Sequence, residues 1–187
     1  ANLYDADLSN AHVQDVDLSN ANLYDADLSN AHVQEVDLTN AKLNYTDLTD
    51  AYLNDTDLSN AYLPYADLSN AYLYDVDLSN AYLNKTVLSN AYFSDVDLSN
   101  AYLYDADLTN LEALGIILKD ADLQWAILKN TYFEMPTDES KCDLTNADFK
   151  YADLTNSYFA YKGGYLWCTL TNANFQDADL TNARFDA

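Results

Sequence analysis

Glycine and proline are nearly missing from this chain of 187 residues, with three of the one and two of the other. So few breakers argue against a flexible linker, and the length is that of one domain, residues 1–187. The longest uninterrupted apolar run is only a few residues, so no membrane span is legible. No leader-like segment is visible, and numbering opens on Ala1 without a methionine, as it would if a leader or tag had been removed. There are only two histidines, and no nucleophile motif, glycine-rich phosphate loop or Cys/His cluster. Positive charge is scarce as well. Eight bases stand against 31 acids, a formal net charge of −23, and phosphates would be repelled. Direct nucleic-acid binding is excluded on that ground, and a basic protein surface is the favoured partner. Residues 1–110 carry 19 of the acids and two lysines, so the acidic field belongs to that part.

What the chain has in abundance is one five-residue unit, of which Ala26-Asp27-Leu28-Ser29-Asn30 is representative. Units start at every fifth residue from Ala1 to Thr131, and the pattern resumes in shifted register at Cys142 and again at Cys168. The first position is almost always Ala, Val or Thr, and the third is Leu, Val or Phe from Leu3 to Leu108. Alternate residues of an extended segment face alike, so these two positions share one side. A five-residue period on a helix would instead spread them around the whole surface. An extended trio that buries two residues and then turns must coil about its own interior, because no unit buries its face alone. Residues 1–20 recur almost verbatim at 21–40, which sets four units per coil. The fold class read from this is an all-β solenoid.

In this unit the sequence resembles the pentapeptide-repeat family, whose repeat is a small residue, Asp or Asn, Leu or Phe, a polar residue and a variable one. The resemblance implies a right-handed quadrilateral β-helix, and about 37 units at four per coil make about nine coils. It also implies that the small and Leu/Phe positions point inward and the other three outward. Some members protect DNA gyrase from quinolones, and this chain is similar to them in acidity and rod shape.

Residues 1–110 are highly regular and 111–135 are degenerate. In Leu111–Leu118 apolar residues enter outward positions, as in a distorted coil or a face covered by another segment or a partner, with Gly115 and Ile117 the departures. Pro136–Lys141 and Lys162–Trp167 read as insertions, the first a polar protruding loop, the second more apolar and folded back on the body. If each insertion only bulges from a corner, Cys142 and Cys168 lie four units apart, about 4.8 Å from each other on one face, and a disulfide is within reach. If the second fills a face, the pair moves to adjacent faces. Two small buried residues in place of Ala is the other reading.

Stacking at 20-residue intervals turns columns into rows. One reads Asp7, Asp27, Asp47, Asp67, Val87, Asp107; another, two faces away, Asp17, Asp37, Asp57, Asp77, Asp97. At rung spacing two unit charges in water repel by roughly 0.9 kcal/mol. Asp in this position also suits turn amides. The sharper reading is imitation of another polyanion: a rod of roughly 44 Å carries about one net charge per 1.9 Å, near the ~1.7 Å of duplex DNA. Aromatic rows are the second feature. Tyr62, Tyr82 and Tyr102 stack on one face and Tyr52, Tyr72 and Tyr92 on the opposite one, either covering backbone or offering a partner a stripe.

Lesser candidates are few. His12 and His32 share an outward row, but two ligands do not make a metal site. Carboxylate rows collect Ca²⁺ weakly at best, without the spacing of a dedicated loop. Ser/Thr rows such as Ser9, Ser29, Thr49, Ser69 and Ser89 are regular enough to order water, which keeps an ice-binding surface as a minor alternative. Asn44, Asn54 and Asn84 each precede a Thr at the glycosylation spacing, which a repeat of this composition generates by itself. Carboxylates on convex faces without a cleft are poor acid/base catalysts, so the chain reads as a non-enzyme without cofactor or metal.

The expected function is therefore recognition by an acidic surface, with mimicry of DNA toward a DNA-binding protein such as a type II topoisomerase as its specific form. A structural or scaffolding solenoid is the alternative. The first implies a cytoplasmic location, while a Cys142–Cys168 bond implies a periplasmic or lumenal one. Open coil ends would favour end-to-end self-association.

Overall fold

A computed structural model describes residues 1–134, 142–159 and 168–185. The alternation of inward Ala and Leu gives eight short strands: β1 (His12–Gln14), β2 (His32–Gln34), β3 (Tyr52–Asn54), β4 (Tyr72–Tyr74), β5 (Tyr92–Asp97), β6 (Glu112–Ile117), β7 (Tyr132–Glu134) and β8 (Tyr158–Phe159). All are parallel, and the sheet runs β1 to β8 in chain order. From β1 to β7 each strand pairs with the one 20 residues on, as Val13 with Val33 and Leu53 with Leu73. Three further sides are built of single parallel bridges with the same step, through Asn2–Asn22–Lys42, Asp7–Asp27–Asp47 and Asp17–Asp37–Asp57. The solenoid is thus four-sided. Its sides are numbered below in chain order by their first residues: Asn2, Asp7, His12 and Asp17.

Backbone donors show why the five-residue unit closes on itself. Within Ala26–Asn30, the Ala26 N–H donates across the corner to the Leu23 carbonyl at 3.1 Å. Asp27 donates back to Ala6 in the previous coil at 2.9 Å, and Leu28 forward to Asp47 in the next at 2.7 Å. Asn30 donates forward to Thr49 at 2.9 Å. The remaining donor, Ser29, is satisfied by a side chain, the Asp27 carboxylate at 2.9 Å. All five amides are paired, which is what a backbone next to a dry interior requires.

The corner itself needs a left-handed residue. Every fifth residue from Asp5 to Asn130 has positive φ, with Asn30 at 57° and Gly115 at 71°. Asn and Asp tolerate this region best among residues with a Cβ, and they dominate the column. Inside, Leu and Ala alternate as fully buried layers, and Thr46, Thr86 and Thr131 stand in for Ala. Their hydroxyls donate to the Leu23, Leu63 and Leu108 carbonyls at 2.9 to 3.0 Å, so the substitution leaves no orphan group there.

The degenerate stretch keeps the register. In β6, Leu114, Ile116 and Ile117 pair with Ser94, Val96 and Asp97 of β5, making a six-residue strand and not a distorted coil. Leu111 takes the small-residue position and Ala113 the leucine position, both fully buried, so the swap roughly conserves core volume. Gly115 is buried, and Leu114 and Ile117 are half-buried.

Beyond it the step changes from 20 to 26 residues, with Ile117 opposite Asp143, Tyr132 opposite Tyr158 and Asp143 opposite Thr169. Six extra residues are accommodated twice between the third and fourth sides, and the rungs after them stay aligned. The insertions Pro136–Lys141 and Lys162–Trp167 themselves lie outside the described residues.

Candidate functional site: aspartate and tyrosine rows

Side two carries Asp7, Asp27, Asp47, Asp67 and Asp107, interrupted by Val87; side four, opposite, carries Asp17, Asp37, Asp57, Asp77 and Asp97. Each of the ten accepts, at Oδ1, the backbone N–H of the Ser or Thr two residues on, at 2.8 to 3.0 Å. This fixes every carboxylate in one rotamer at the spacing of the rungs. Among the described residues two lysines form ion pairs, both with acids outside these ten, Lys85 with Asp105 at 3.9 Å and Lys129 with Asp153 at 3.0 Å. The ten-carboxylate array is therefore not neutralised by those lysines. The hydroxyls of Ser9 and Thr181 donate to Asp7 and Asp179 on top of the amides, and this holds both carboxyls below the usual carboxylate range. At Asp153 burial opposes ionisation, but the Thr155 hydroxyl and amide and the Lys129 ammonium outweigh it, and its pKa is also lowered. The hydroxyls of Ser9, Thr39 and Thr49 are spent in this way, each 2.7 Å from its aspartate.

Tyrosine rows lie on the other two sides. Tyr62, Tyr82 and Tyr102 stack on side one with centroids 4.7 and 4.9 Å apart and rings within 10° of parallel. On side three the stack begins with histidine: His12, His32, Tyr52 and Tyr72 follow at 4.7, 4.8 and 4.8 Å. Tyr92 breaks it, tilted 39° from Tyr72, because Tyr74 also packs against it at 5.5 Å and the ring cannot lie parallel to both. Burial, with Tyr74, Glu112 and Asp95 nearby, raises the Tyr92 phenol pKa. In these stacks the ring faces are turned to one another, so only edges and hydroxyls are offered outward. The two imidazoles are one stack with the tyrosines, and among the described residues no group of three or more His, Cys, Asp or Glu is placed to hold a metal.

Cys142 and Cys168 occupy the small-residue column before side four and form a disulfide, with sulfurs 2.02 Å and Cα atoms 4.5 Å apart. The two cysteines are thus on one face, on neighbouring rungs of one column. Thr46, Thr56 and Thr86, the hydroxyl residues of the three glycosylation triplets, are buried.

Three features lay unread in the columns. The corner after side one stacks Tyr45 on Tyr65 at 5.0 Å, with the Lys85 ammonium 5.6 Å from the Tyr65 centroid, and lower down Trp125 on Tyr151 at 4.5 Å. Side-chain amides form ladders, Asn182 donating to Asn156, Asn156 to Asn130, Asn130 to Asn110 and Asn110 to Asn90, at 2.9 to 3.1 Å. In the last coils phenylalanines replace leucine, Phe133 and Phe159 buried and Phe185 exposed, stacking at 4.6 and 4.7 Å. The signal for each is its recurrence every 20 residues, or 26 past an insertion.

Comparison with known proteins adds the family. The pattern described as Pentapeptide repeats matches in eight copies, over residues 1–40, 41–80, 71–110, 140–160 and 167–186. A comparison with curated protein sequences returns no match. Among solved structures, the chain is similar to HetL, a pentapeptide repeat protein involved in heterocyst differentiation regulation in the cyanobacterium Nostoc, at 23% identity and TM-score 0.31, over 95% of this chain and 88% of that one. It is similar to full-length QnrB1, a plasmid-mediated fluoroquinolone resistance protein, at 17% identity and TM-score 0.48, over 95% and 85%. A pentapeptide repeat protein of the Arabidopsis thaliana thylakoid lumen aligns at 22% identity and TM-score 0.32, over 51% of this chain and 63% of that one. With its repeats matched over most of its length and a four-sided coil built from them, the chain belongs to the pentapeptide repeat family.

Proposed function

We propose that this protein is a non-enzymatic recognition rod that presents a fixed polyanion to a basic protein surface, in the manner of DNA toward a DNA-binding protein such as a type II topoisomerase. The observation that carries the reading is the ten-carboxylate array. Each member has one oxygen tied to a corner amide, and no hydrogen bond from a described residue reaches its Oδ2. Charges held in place before binding lose little entropy on contact, and rows of one sign steer a basic partner. The direct test is binding to purified gyrase at low and high salt, together with supercoiling in the presence of a quinolone. Affinity that falls steeply with salt and supercoiling that persists are expected; no binding at low salt rejects this partner. Replacing Asp17, Asp37, Asp57, Asp77 and Asp97 by Asn removes the charge of one side while keeping its hydrogen bonds, and binding is expected to fall.

A second reading has its own support in the Cys142–Cys168 disulfide. Such bonds persist in oxidising compartments. There the rod serves as a scaffold in an envelope or lumen and its acidity keeps it soluble. In that case the same five substitutions leave function intact.

A further inference from the structure

Side three changes character below β5. Its outward row runs Glu112, Tyr132, Tyr158, Arg184 on successive rungs, and two adjoining grooves open along it. The upper, of about 380 Å³, is lined by Glu112, Glu134, Tyr132 and Tyr158. The lower, of about 770 Å³, shares both tyrosines and adds Arg184, with Asn156 and Asn182 along its flank. Together they make one trough with a tyrosine floor, two carboxylates at one end and a guanidinium at the other. Arg184 is the only arginine in the chain. Among the described residues it has no acidic partner, and neither do Glu112 and Glu134 have a basic one. Tyr132 stands 50% exposed in the middle of the floor.

We propose that this trough binds an extended peptide segment of a partner protein that carries a basic side chain and, four residues away, an acidic one. The spacing follows from two periodicities. Glu112 and Arg184 are three rungs apart, about 14 Å at the inter-strand distance. In an extended peptide, residues four apart face the same way and lie about 13 Å from each other. A segment laid along the rod axis thus sets its cation between Glu112 and Glu134 and its carboxylate on Arg184, in a fork suited to bidentate pairing. The Asn182 amide, which donates to Asn156 at 3.1 Å, keeps its own carbonyl oxygen to receive a peptide N–H. This site is separate from the aspartate rows. It selects for a pair of opposite charges, where the rows attract positive charge alone.

The test is fluorescence anisotropy of three labelled peptides with the whole protein: acetyl-Lys-Ser-Tyr-Ser-Glu-amide, the same sequence with Lys at both ends, and the same with Glu at both ends. The mixed-charge peptide is expected to bind the wild type about tenfold tighter than the dibasic one, the size of one charge-assisted contact. Arg184→Glu should reverse that order, and Arg184→Gln, which removes the charge and keeps an amide donor, should bring the two peptides level. The pair Glu112→Gln and Glu134→Gln should weaken the mixed-charge peptide about tenfold. Circular dichroism on each variant confirms the fold, since Glu112 and Arg184 are exposed and carry no core packing. The proposal is overturned if the dibasic peptide binds the wild type as well as the mixed one, which is attraction to an acidic rod only. It is equally overturned if Arg184→Glu leaves the order unchanged, or if the mixed-charge peptide does not bind.

Discussion

The Asp57 carboxylate accepts the backbone N–H of Ser59 at 2.8 Å, so the residue that charges the surface is also the one that closes the corner. Its two roles separate by substitution. Asp57→Asn keeps the acceptor and removes the charge, relieving repulsion of roughly 0.9 kcal/mol toward each neighbour in the row, less in salt. Asp57→Ala removes the charge and the acceptor together, and should lie about 1 kcal/mol below Asp57→Asn. Thermal melting of the two variants is expected to place Asn at or above wild type and Ala below Asn. Equal melting of both would show that the corner hydrogen bond contributes nothing.

Cys142 and Cys168 continue the column of Val16, Val36, Thr56, Val76, Val96 and Ile116, so Cys142→Val with Cys168→Val removes the covalent link and keeps the column filled. The link closes a loop with a sequence separation of 26 residues. Loop-closure entropy makes that worth about 3.5 kcal/mol in the unfolded state. The double variant should lose stability of that order in urea. Hydrogen exchange should rise first in residues 168–185, whose coil has a neighbour on one side in the described structure. Uniform loss of protection along the rod would contradict this.

The coil was legible because its cause is local. Ala and Leu two residues apart fix the inward side, and the recurrence of residues 1–20 at 21–40 fixes the number of sides. From that, both Asp rows and both Tyr rows fall into place by counting. The trough from Glu112 to Arg184 was not legible, because its members are brought into one row by two 26-residue steps, and the sequence does not say whether an insertion bulges or fills a side. The left-handed corners went unread for another reason. Asn and Asp in the fifth position announce them, but Tyr45, Lys85 and Trp125 do not, and there the periodic geometry overrides residue preference.

Tyr82 lies between Tyr62 at 4.7 Å and Tyr102 at 4.9 Å, with both ring faces covered. Its replacement by Ala removes two stacked pairs, each worth about 1 kcal/mol beyond buried area, so a loss of about 2 kcal/mol is expected. Tyr82→Phe keeps both stacks and should be nearly neutral. Near-ultraviolet circular dichroism should weaken in Tyr82→Ala by more than one tyrosine's share, because the outer rings lose their coupling partner. If Ala and Phe melt alike, the stack is ornament to the coil and not part of its stability.

Acid should unfasten the rod at its first and last coils. The folded-state pKa values of Asp7, Asp153 and Asp179 lie below the ordinary 3.8 because their hydrogen bonds favour the charged form, at Asp153 against the effect of its burial. For a depressed carboxylate the stabilisation is complete above the unfolded value and is lost as pH falls through the folded one. The stabilisation from these three is therefore intact at pH 5 and falls away below about 3.8. Melting followed from pH 6 downward should accordingly hold at first and then drop below pH 3.8. Replacing Asp7, Asp153 and Asp179 by Asn, which keeps an uncharged acceptor, should flatten the drop. An unchanged acid limb in that triple variant would assign the acid sensitivity to other groups.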